Sequence, residues 1–229
     1  MLIWATLNKR SRNDMKTVYF LRHGQTTLNK TWVHQYPDTQ LSEKGLAQAQ
    51  DAGEYFKNVD LDLVVYSPLL RAEQTAKAVI EHHSCPTEPN ALFEELRRPR
   101  ALWGMHWLHP RSLGVMGTLY FRAGREGWHY SDEENLQEFH ARARRALEWL
   151  AARPEEKILV VTHKGFMANM AERMRRDGLD TTAQYRRALW KNFAIGNCCY
   201  ITATWTSEGV DGETLTGTWS VQPGVRCTS

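Results

Sequence analysis

Short runs of β-branched, aliphatic and aromatic residues mark where this chain forms buried strands. Three such runs, separated by long amphipathic stretches, lie at 17–22, 61–66 and 157–162. Unbroken apolar runs of this length are typical of strands that are covered on both faces of a sheet. Toward the C-terminus the pattern changes to alternation over 200–206 and 215–221, with a predicted turn at 208–212 between them. The pattern therefore predicts a mostly parallel sheet that is followed by a C-terminal hairpin.

The stretches between the apolar runs carry apolar residues at helical spacing. Ser42 precedes the first stretch, and its side chain is suited to cap a helix that follows it. Ser67 and Pro68 follow the second strand, where serine is expected as the cap and proline as the first helical residue. The sequence SDEE at 131–134 predicts a capping box for another helix, and a further helix is expected at 166–176. Strands that alternate with helices predict an α/β fold, a three-layer α/β/α sandwich around a mostly parallel central sheet.

Length and composition are typical of one globular domain. The chain has 229 residues, of which 42% are hydrophobic and 24% are charged. We expect the domain to span 16–229, after a loosely ordered extension at 1–15. The net charge of +3 is too small to indicate a nucleic-acid partner. No apolar run reaches the roughly 18 residues of a membrane-spanning helix, so we expect no membrane partner.

The cysteines and the N-terminal residues indicate the cellular compartment in which the protein is expected. Four cysteines are too few for a disulfide framework, and the adjacent residues Cys198 and Cys199 are expected to fill the core or the sheet. The N-terminal residues have no basic segment ahead of their apolar run, so they do not resemble a signal peptide. We therefore expect reduced thiols and a cytoplasmic location.

Each predicted strand of the parallel sheet is followed by a cation or an imidazole. Ligands of such sheets bind beyond the carboxyl ends of the strands, so these residues are expected to converge. They are Arg22, His23 and Gly24 after the first strand, Ser67 and Arg71 after the second, and His163, Lys164 and Gly165 after the third. Arginine donates two parallel hydrogen bonds to phosphate oxygens, and glycine lets the backbone approach a ligand closely. The sequence therefore predicts a site for a dianionic group such as phosphate.

Other histidines are candidate metal ligands. His82, His83 and Cys85 form one group, and His106 and His109 form another. Neither group has four ligands at the spacing of a known zinc site, so we expect no metal and no cofactor.

Four stretches of the chain resemble the histidine phosphatase superfamily, the phosphoglycerate-mutase-like group with an Arg-His-Gly motif. They are VYFLRHGQTTLN at 18–29, QLSEKGLAQAQ at 40–50, VVYSPLLRAEQTA at 64–76 and ILVVTHKG at 158–165. They occur in the family's order, and the resemblance covers most of residues 16–221. It implies a phosphoglycerate-mutase-like fold. The chain departs from the common pattern at Lys164, where many members have glycine, and in the stretch after 96.

The resemblance implies a role for each residue of the predicted site. His23 is the nucleophile, and Arg22, Arg71 and His163 hold the phosphoryl oxygens during catalysis. The residues implied to line the rest of the phosphate pocket are Gly24, Gln25, Thr26 and Asn29. These roles agree with the chemistry, because imidazole is a competent nucleophile near neutral pH and two guanidinium groups neutralise a phosphoryl group without Mg²⁺.

The family also needs a carboxylic acid that protonates the leaving oxygen. Counting back from Leu96 selects Glu95, whereas counting forward from Leu92 selects Glu94. On an extended segment the two side chains point to opposite sides, so one of them faces the phosphate. We favour Glu95 and keep Glu94 as the alternative.

The implied activity is that of a metal-independent phosphomonoesterase of the histidine acid type, which forms a phosphohistidine. The alternatives are a phosphoglycerate-mutase-like phosphotransferase and a catalytically silent phosphate-recognition domain. The expected partner is a small phosphorylated substrate, and the chain is expected to be a monomer or a homodimer.

The segment 98–131 is expected to be an irregular insertion that sets substrate specificity. Its aromatic residues either form a wall for the substrate or cover the sheet, and the sequence leaves both interpretations open. They are Trp103, Trp107, Tyr120, Phe121, Trp128 and Tyr130.

Overall fold

One mixed sheet runs through the described part of the chain, and helices pack on both of its faces. The computed structural model describes residues 15–175, 182–183, 195–211 and 214–228. Its strands are β1 (Met15–Arg22), β2 (Leu63–Tyr66), β3 (Thr87–Pro89), β4 (Lys157–Thr162), β5 (Cys199–Asp211), β6 (Thr214–Val221) and β7 (Arg226–Cys227). Its α-helices are α1 (Thr27–Lys30), α2 (Glu43–Phe56), α3 (Leu70–Ile80), α4 (Pro110–Arg122), α5 (Leu136–Ala152) and α6 (Lys164–Met174). None of the helices in these described ranges is long and apolar enough to cross a membrane.

The strand order brings the predicted site residues to one edge of the sheet. β3, β2, β4 and β1 are parallel neighbours in that order, and β5 pairs with β1 in the antiparallel direction. β6 and β7 both pair with β5, which confirms the C-terminal hairpin. Arg22 at the end of β1 lies opposite Thr162 of β4, and Tyr66 at the end of β2 lies opposite Val161. The carboxyl ends of these strands therefore meet, as the sequence predicted.

Alternate side chains of the strands pack into different helical layers. Val18 and Phe20 of β1 share a buried cluster with α5 and α6, whereas Leu21 shares one with α2 and α3. All three side chains are fully buried, and burying a side chain of this size contributes about 1.5–3 kcal/mol. The predicted three-layer α/β/α sandwich is thus confirmed.

The start of α3 differs from the prediction, whereas the start of α2 agrees with it. Ser42 caps α2, because its hydroxyl accepts a hydrogen bond from the backbone N–H of Gly45. Ser67 and Pro68 do not open α3, which begins at Leu70 without a side-chain cap. The Ser67 hydroxyl instead pairs with the ring of His163.

The capping box of α5 also lies elsewhere than predicted. The pair that closes it is Asn135 with Glu138, and not the SDEE segment. The carboxylate of Glu133 in that segment accepts hydrogen bonds from the backbone of Tyr130 and Ser131, so it closes a turn ahead of the helix. Two patterns of the same type stand four residues apart, and the second one forms the cap.

The segment 98–131 is not irregular throughout, so that prediction is wrong for part of it. It contains α4 and a 3₁₀ turn at Arg100–Leu102. Pro110 occupies the first turn of α4, and the ring of His109 caps it by accepting from the N–H of Arg111. Glycines at 114 and 117 weaken the helical pattern of this segment in the sequence.

The cysteines do not all stay reduced in the structure. Cys199 and Cys227 lie opposite each other on β5 and β7 and form a disulfide. Cys198 is a free and buried thiol, as expected. The expectation of reduced thiols is therefore wrong for Cys199 and Cys227 in this structure. Sequence spacing did not show it, because the pair forms only when β7 returns to β5.

Two predicted boundaries near the ends of the chain also differ from those in the structure. Met15 belongs to β1, and residues 1–14 of the predicted extension lie outside the described residues. β5 continues to Asp211, through a register shift between Ser207 and Gly209, where a turn was predicted. Gly209 has a φ of 136°, a backbone conformation that favours glycine.

Candidate active site

His23 follows β1 directly, and its ring is buried at the carboxyl edge of the sheet. Its Nδ1 lies 2.7 Å from the carbonyl oxygen of Gly24. A carbonyl oxygen can only accept a hydrogen bond, so Nδ1 carries the proton and Nε2 keeps its lone pair. Burial lowers the pKa of His23 well below its ordinary value, and Arg71 and Arg22 lower it further. The ring is therefore neutral near pH 7, and the lone pair of Nε2 is available.

His163 follows β4, and its ring centroid lies 5.1 Å from that of His23. Its Nε2 is 2.8 Å from the hydroxyl of Ser67. Burial lowers the pKa of His163 well below its ordinary value, with Arg71 as the next largest cause. Two neutral imidazoles therefore lie side by side where β1 and β4 end.

Two buried arginines flank these rings. Arg22 and Arg71 are 9% and 4% exposed, and each donates to one backbone carbonyl, that of Ile195 at 2.8 Å and that of Tyr36 at 3.1 Å. Burial lowers the pKa of each guanidinium to about 10, and the charge of Glu95 partly opposes this. Both side chains therefore stay positively charged near neutral pH.

Several buried nitrogen atoms at this edge have no hydrogen-bond partner among the described residues. They are Nε of Arg22, Nδ2 of Asn29, Nε of Arg71 and the Nδ1 position of His163. Leaving a buried polar group unpaired costs about 1–3 kcal/mol, and more if it is charged. Four such groups on one edge of a sheet are typical of a binding site, and their charge fits an oxyanion.

Glu95 lies at the N-terminus of α6, beside the same arginines. Its carboxylate accepts hydrogen bonds from the backbone N–H groups of Gly165 and Phe166, both at 3.0 Å. A Cβ atom at Gly165 would lie 2.5 Å from this carboxylate, so a side chain at this position would displace the Glu95 carboxylate. Arg22 and Arg71 both interact electrostatically with Glu95.

Glu94 lies in different surroundings from its neighbour. It is half-buried, and burial raises its pKa while Arg142 lowers it. Arg142 of α5 also fixes this segment, because it donates to the carbonyl oxygens of Leu92 and Glu94, both at 2.9 Å. The same guanidinium binds the Glu134 carboxylate at 2.7 Å through two nitrogens. Both candidate acids thus interact with Arg71, but Arg142 is the stronger influence on Glu94, whereas the backbone at the start of α6 binds Glu95.

The glycine of the Arg-His-Gly sequence is explained by packing. The N–H of Gly24 donates to the hydroxyl of Thr75 at 3.0 Å. A Cβ atom at Gly24 would lie 2.4 Å from the carbonyl oxygen of Gly45 in α2. The loop therefore approaches α2 so closely that a side chain has no room.

The remaining residues of the loop differ in what they offer a ligand. The Thr26 hydroxyl accepts from the N–H of Asn29 at 3.0 Å and donates to Gln35 at 2.8 Å. The side-chain oxygen of Gln25 accepts from the Ser42 hydroxyl at 3.3 Å. These bonds build the loop, and Nδ2 of Asn29 is the donor that they leave available.

Sequence reasoning missed the roles of three residues that hold the histidines in place. Ser67 positions the His163 ring, and Thr75 holds Gly24. Asn197 donates from its side chain to the carbonyl oxygen of His23 at 3.0 Å. The signal for Ser67 was its place directly after a strand, but that place also fits a helix cap.

The candidate ligand group of His82, His83 and Cys85 lies away from this site. A cavity of about 620 Å³ is lined by residues from Lys57 to Asp62 and from His82 to Cys85, which precede β2 and β3 at the opposite edge of the sheet. Among the residues that the structure describes, no group of three or more His, Cys, Asp and Glu side chains is placed to hold a metal ion. The buried histidines and arginines at the carboxyl edge of the sheet therefore mark the candidate functional site.

Comparison with known proteins shows the family of this chain. The family model of the histidine phosphatase superfamily, branch 1, matches residues 18–216. An adenosylcobalamin/alpha-ribazole phosphatase of Escherichia coli (strain K12) is 28% identical over 163 residues, which are 69% of this chain and 78% of the relative. The uncharacterized phosphatase PhoE of Bacillus subtilis (strain 168) is 31% identical over 151 residues, which are 65% of this chain and 72% of the relative.

Solved structures share the fold. A mycobacterial glucosyl-3-phosphoglycerate phosphatase superimposes with a TM-score of 0.71 at 22% identity, covering 91% of this chain and 98% of that one. The family match over 18–216 spans β1 to β6 and includes both histidines and both arginines of the site. This chain belongs to the histidine phosphatase superfamily.

Proposed function

We propose that the protein is a metal-independent phosphomonoesterase that forms a phosphohistidine at His23. The observation that carries this proposal is the hydrogen bond of 2.7 Å between Nδ1 of His23 and the carbonyl oxygen of Gly24. It fixes the tautomer, so the lone pair of Nε2 is free to attack in a pocket that two guanidinium groups make positive. Similarity to phosphatases supports the same chemistry.

In the first half of the reaction, Nε2 of His23 attacks the phosphorus of a phosphomonoester. The P–N bond forms as the P–O bond to the alcohol breaks, and the leaving oxygen takes a proton from Glu95, whose carboxyl group must be protonated for this step. Arg22, Arg71 and His163 bind the phosphoryl oxygens. Each charge-assisted hydrogen bond that strengthens in the transition state contributes about 1.5–3 kcal/mol.

In the second half, water attacks the phosphohistidine. The Glu95 carboxylate takes a proton from the water as the new P–O bond forms, and the P–N bond breaks. Inorganic phosphate leaves, Nε2 regains its lone pair, and the acid is again protonated. The sum is hydrolysis of the ester to an alcohol and phosphate.

The test is to trap the intermediate. The protein is mixed with an aryl phosphate labelled at phosphorus and quenched in alkali, where a P–N bond survives. We expect label that acid releases, together with steady turnover that a chelator leaves unchanged. His23→Ala should lose both, whereas His82→Ala, at the opposite edge of the sheet, should keep both. Full turnover in His23→Ala, or its loss from the wild type on chelation, would contradict the proposal.

The same experiment separates the alternatives. Label that passes to an added alcohol rather than to water identifies a phosphotransferase of the mutase kind. Label that never enters the protein, with phosphate still bound, identifies a recognition domain. The expected partner remains a small phosphorylated substrate. Light scattering of the same sample measures the molar mass of the protein in solution and so shows whether it is a monomer or a homodimer.

We also propose a cytoplasmic location, which the cysteines can test. The disulfide of the structure speaks against it, because disulfides are rare in the cytosol, where Cys199 and Cys227 should be two thiols across the strand pair. Blocking thiols during lysis and then digesting the protein measures their state. Both cysteines blocked supports the cytoplasm, and an intact pair from rapidly quenched cells contradicts it.

A further inference from the structure

Two segments beside the phosphate pocket pair with each other through their backbones. The N–H of His34 donates to the carbonyl oxygen of Met105 at 3.0 Å, and the N–H of Gly104 donates to that of His34 at 2.8 Å. A third bond of 2.8 Å joins the N–H of Trp107 to the carbonyl oxygen of Trp32. The segment after the candidate acids is thus fastened to the segment after α1.

This pairing brings together two pairs of rings, the aromatic rim, which consists of the buried His34 ring and the rings of Tyr36, Trp103 and Trp107. The His34 ring stacks on Trp107 with centroids 5.0 Å apart and planes 11° apart. The Tyr36 ring meets Trp103 edge to face, with centroids 6.0 Å apart. Tyr36 and Trp107 are each 42% exposed, so much of their ring surface faces solvent.

The aromatic rim is continuous with the phosphate pocket. Arg71 donates to the backbone carbonyl of Tyr36 at 3.1 Å, and the Thr26 hydroxyl donates to Gln35 at 2.8 Å. One contact thus joins the segment 34–36 to a phosphate-binding arginine, and the other joins it to the loop after His23. A phosphoryl group held by Arg71 leaves its ester oxygen, and the group attached to it, near this surface.

The rim carries little charge of its own. The ring of His34 is 3% exposed and lies 2.8 Å from the hydroxyl of Ser112 in α4. Burial, and then the charge of Arg98, lower its pKa to about 4, so the ring is neutral near pH 7. Arg100 lies over Trp103, with its guanidinium carbon 5.8 Å from the ring centroid, and is paired with Asp132. Cations therefore border the rim, while its surface is aromatic.

Trp103 and Trp107 do not cover the sheet, because their ring contacts are with the segment 34–36 rather than with the buried clusters of the core. We propose that the aromatic rim binds the leaving group of the substrate, and that the preferred substrates are phosphomonoesters whose alcohol carries an aromatic ring. This inference rests on the proposed phosphatase activity. Rings stack in offset or edge-to-face geometry with a gain beyond that of buried area, so an aromatic alcohol gains more here than an aliphatic one.

The test compares esters whose leaving groups are equally basic. 2-Phenylethyl phosphate, 2-cyclohexylethyl phosphate and ethyl phosphate all release a primary alcohol, so differences in kcat/KM report binding of the group beyond the ester oxygen. We expect the wild type to prefer the phenyl ester over the ethyl ester by about tenfold or more, and over the cyclohexyl ester by about threefold. A wild-type ratio of phenyl to ethyl ester near one overturns the inference, whatever the variants do.

Two tryptophan variants test whether the aromatic rim causes the preference for the phenyl ester. Trp103→Leu and Trp107→Leu should each lower the ratio of phenyl to ethyl ester by about fivefold. The matched control is Phe121→Leu, since Phe121 is 79% exposed and lies on α4 nine residues beyond Ser112. The control should keep the wild-type ratio. A preference that survives both tryptophan changes overturns the assignment.

The two proposals fail in different ways. If the wild type hydrolyses none of the three esters and takes no label at His23, the phosphatase proposal fails. If it hydrolyses all three at equal efficiency and takes label, the phosphatase proposal stands and the aromatic rim is not a leaving-group site.

Discussion

At the scale of single residues, the site depends on charges that the protein buries for a ligand. Arg22 and Arg71 each give one hydrogen bond to a backbone carbonyl, and each keeps a buried Nε without a partner among the described residues. Removing a guanidinium from water costs free energy that one carbonyl does not offset. We infer that the phosphoryl oxygens of a substrate supply the missing partners.

Arg71→Lys should therefore be a severe change. Lysine is a compact charge on a flexible stem and does not reproduce the fork that binds two oxygens at once. Loss of one charge-assisted hydrogen bond costs about 1.5–3 kcal/mol, which lowers kcat/KM about tenfold to a hundredfold. Inorganic phosphate should inhibit the variant more weakly than the wild type. Arg145→Lys, on the exposed face of α5, is the control, and equal kinetics in the two variants would remove Arg71 from the pocket.

Substitution of each candidate acid should show which of the two donates the proton. Glu95→Gln should impair hydrolysis of 2-phenylethyl phosphate far more than hydrolysis of 4-nitrophenyl phosphate, because a proton donor matters most when the leaving oxygen is basic. Glu94→Gln is the matched control, since its side chain belongs to the network of Arg142. Steady-state kinetics on both esters decides the matter. A selective loss in Glu94→Gln alone would exchange the two roles.

At the scale of elements, the segment just before β5 holds the loop that carries His23. The carbonyl oxygen of Ile195 accepts from Arg22, and Asn197 donates to the carbonyl oxygen of His23. The N–H of Cys198 donates to the carbonyl oxygen of Arg22 at 3.1 Å, with Cys198 at a φ of 48°. The disulfide from Cys199 to Cys227 then ties β7 to this same end of β5.

Cys227→Ser should destabilise the protein under oxidising conditions. The disulfide closes a loop between residues 28 apart in sequence, and in the chain-entropy model a loop of this length contributes about 3–4 kcal/mol. Urea unfolding without reductant measures the loss. With reductant, the wild type and the variant should unfold at nearly the same urea concentration. A difference that persists in reductant would mean that serine disturbs the packing of β7.

Sequence patterns predicted the elements better than the contacts between distant segments. The strand that ends at Arg22 and the cap at Ser42 were predicted, because strand runs and helix caps depend on nearby residues. The bond from Ser67 to His163, the disulfide and the pairing of His34 with Met105 join segments that are far apart in sequence. No local pattern carries that information. In particular, the strand ends indicated the phosphate pocket, but the aromatic rim needed the folded chain.

At the scale of the whole molecule, buried histidines make stability depend on pH. Burial is the largest cause that lowers the pKa of His23, His34, His140 and His163, and the values for His34 and His140 are about 4. In the unfolded chain these rings have their ordinary pKa near 6.5, so below that pH the unfolded state binds more protons than the folded state. The stabilisation is thus complete above pH 6.5 and is lost as the pH falls from there to about 4.

Urea unfolding between pH 7 and pH 5 should therefore show a falling free energy of unfolding. Each buried histidine contributes up to about 1.4 kcal/mol per pH unit within this window. His140→Gln should reduce the slope of the free energy of unfolding against pH by about the contribution of one histidine. His106→Gln, at an exposed position, should leave that slope unchanged. A free energy of unfolding that does not change between pH 7 and pH 5 would contradict burial of neutral rings.

Nε2 of His23, rather than Nδ1, should attack phosphorus, because Nδ1 is committed to the carbonyl oxygen of Gly24. Phosphorus NMR of the trapped intermediate, after digestion to the peptide that contains His23, distinguishes the two ring isomers of phosphohistidine. We expect the phosphoryl group on Nε2 of His23. A phosphoryl group on Nδ1, or on another residue, would contradict the account.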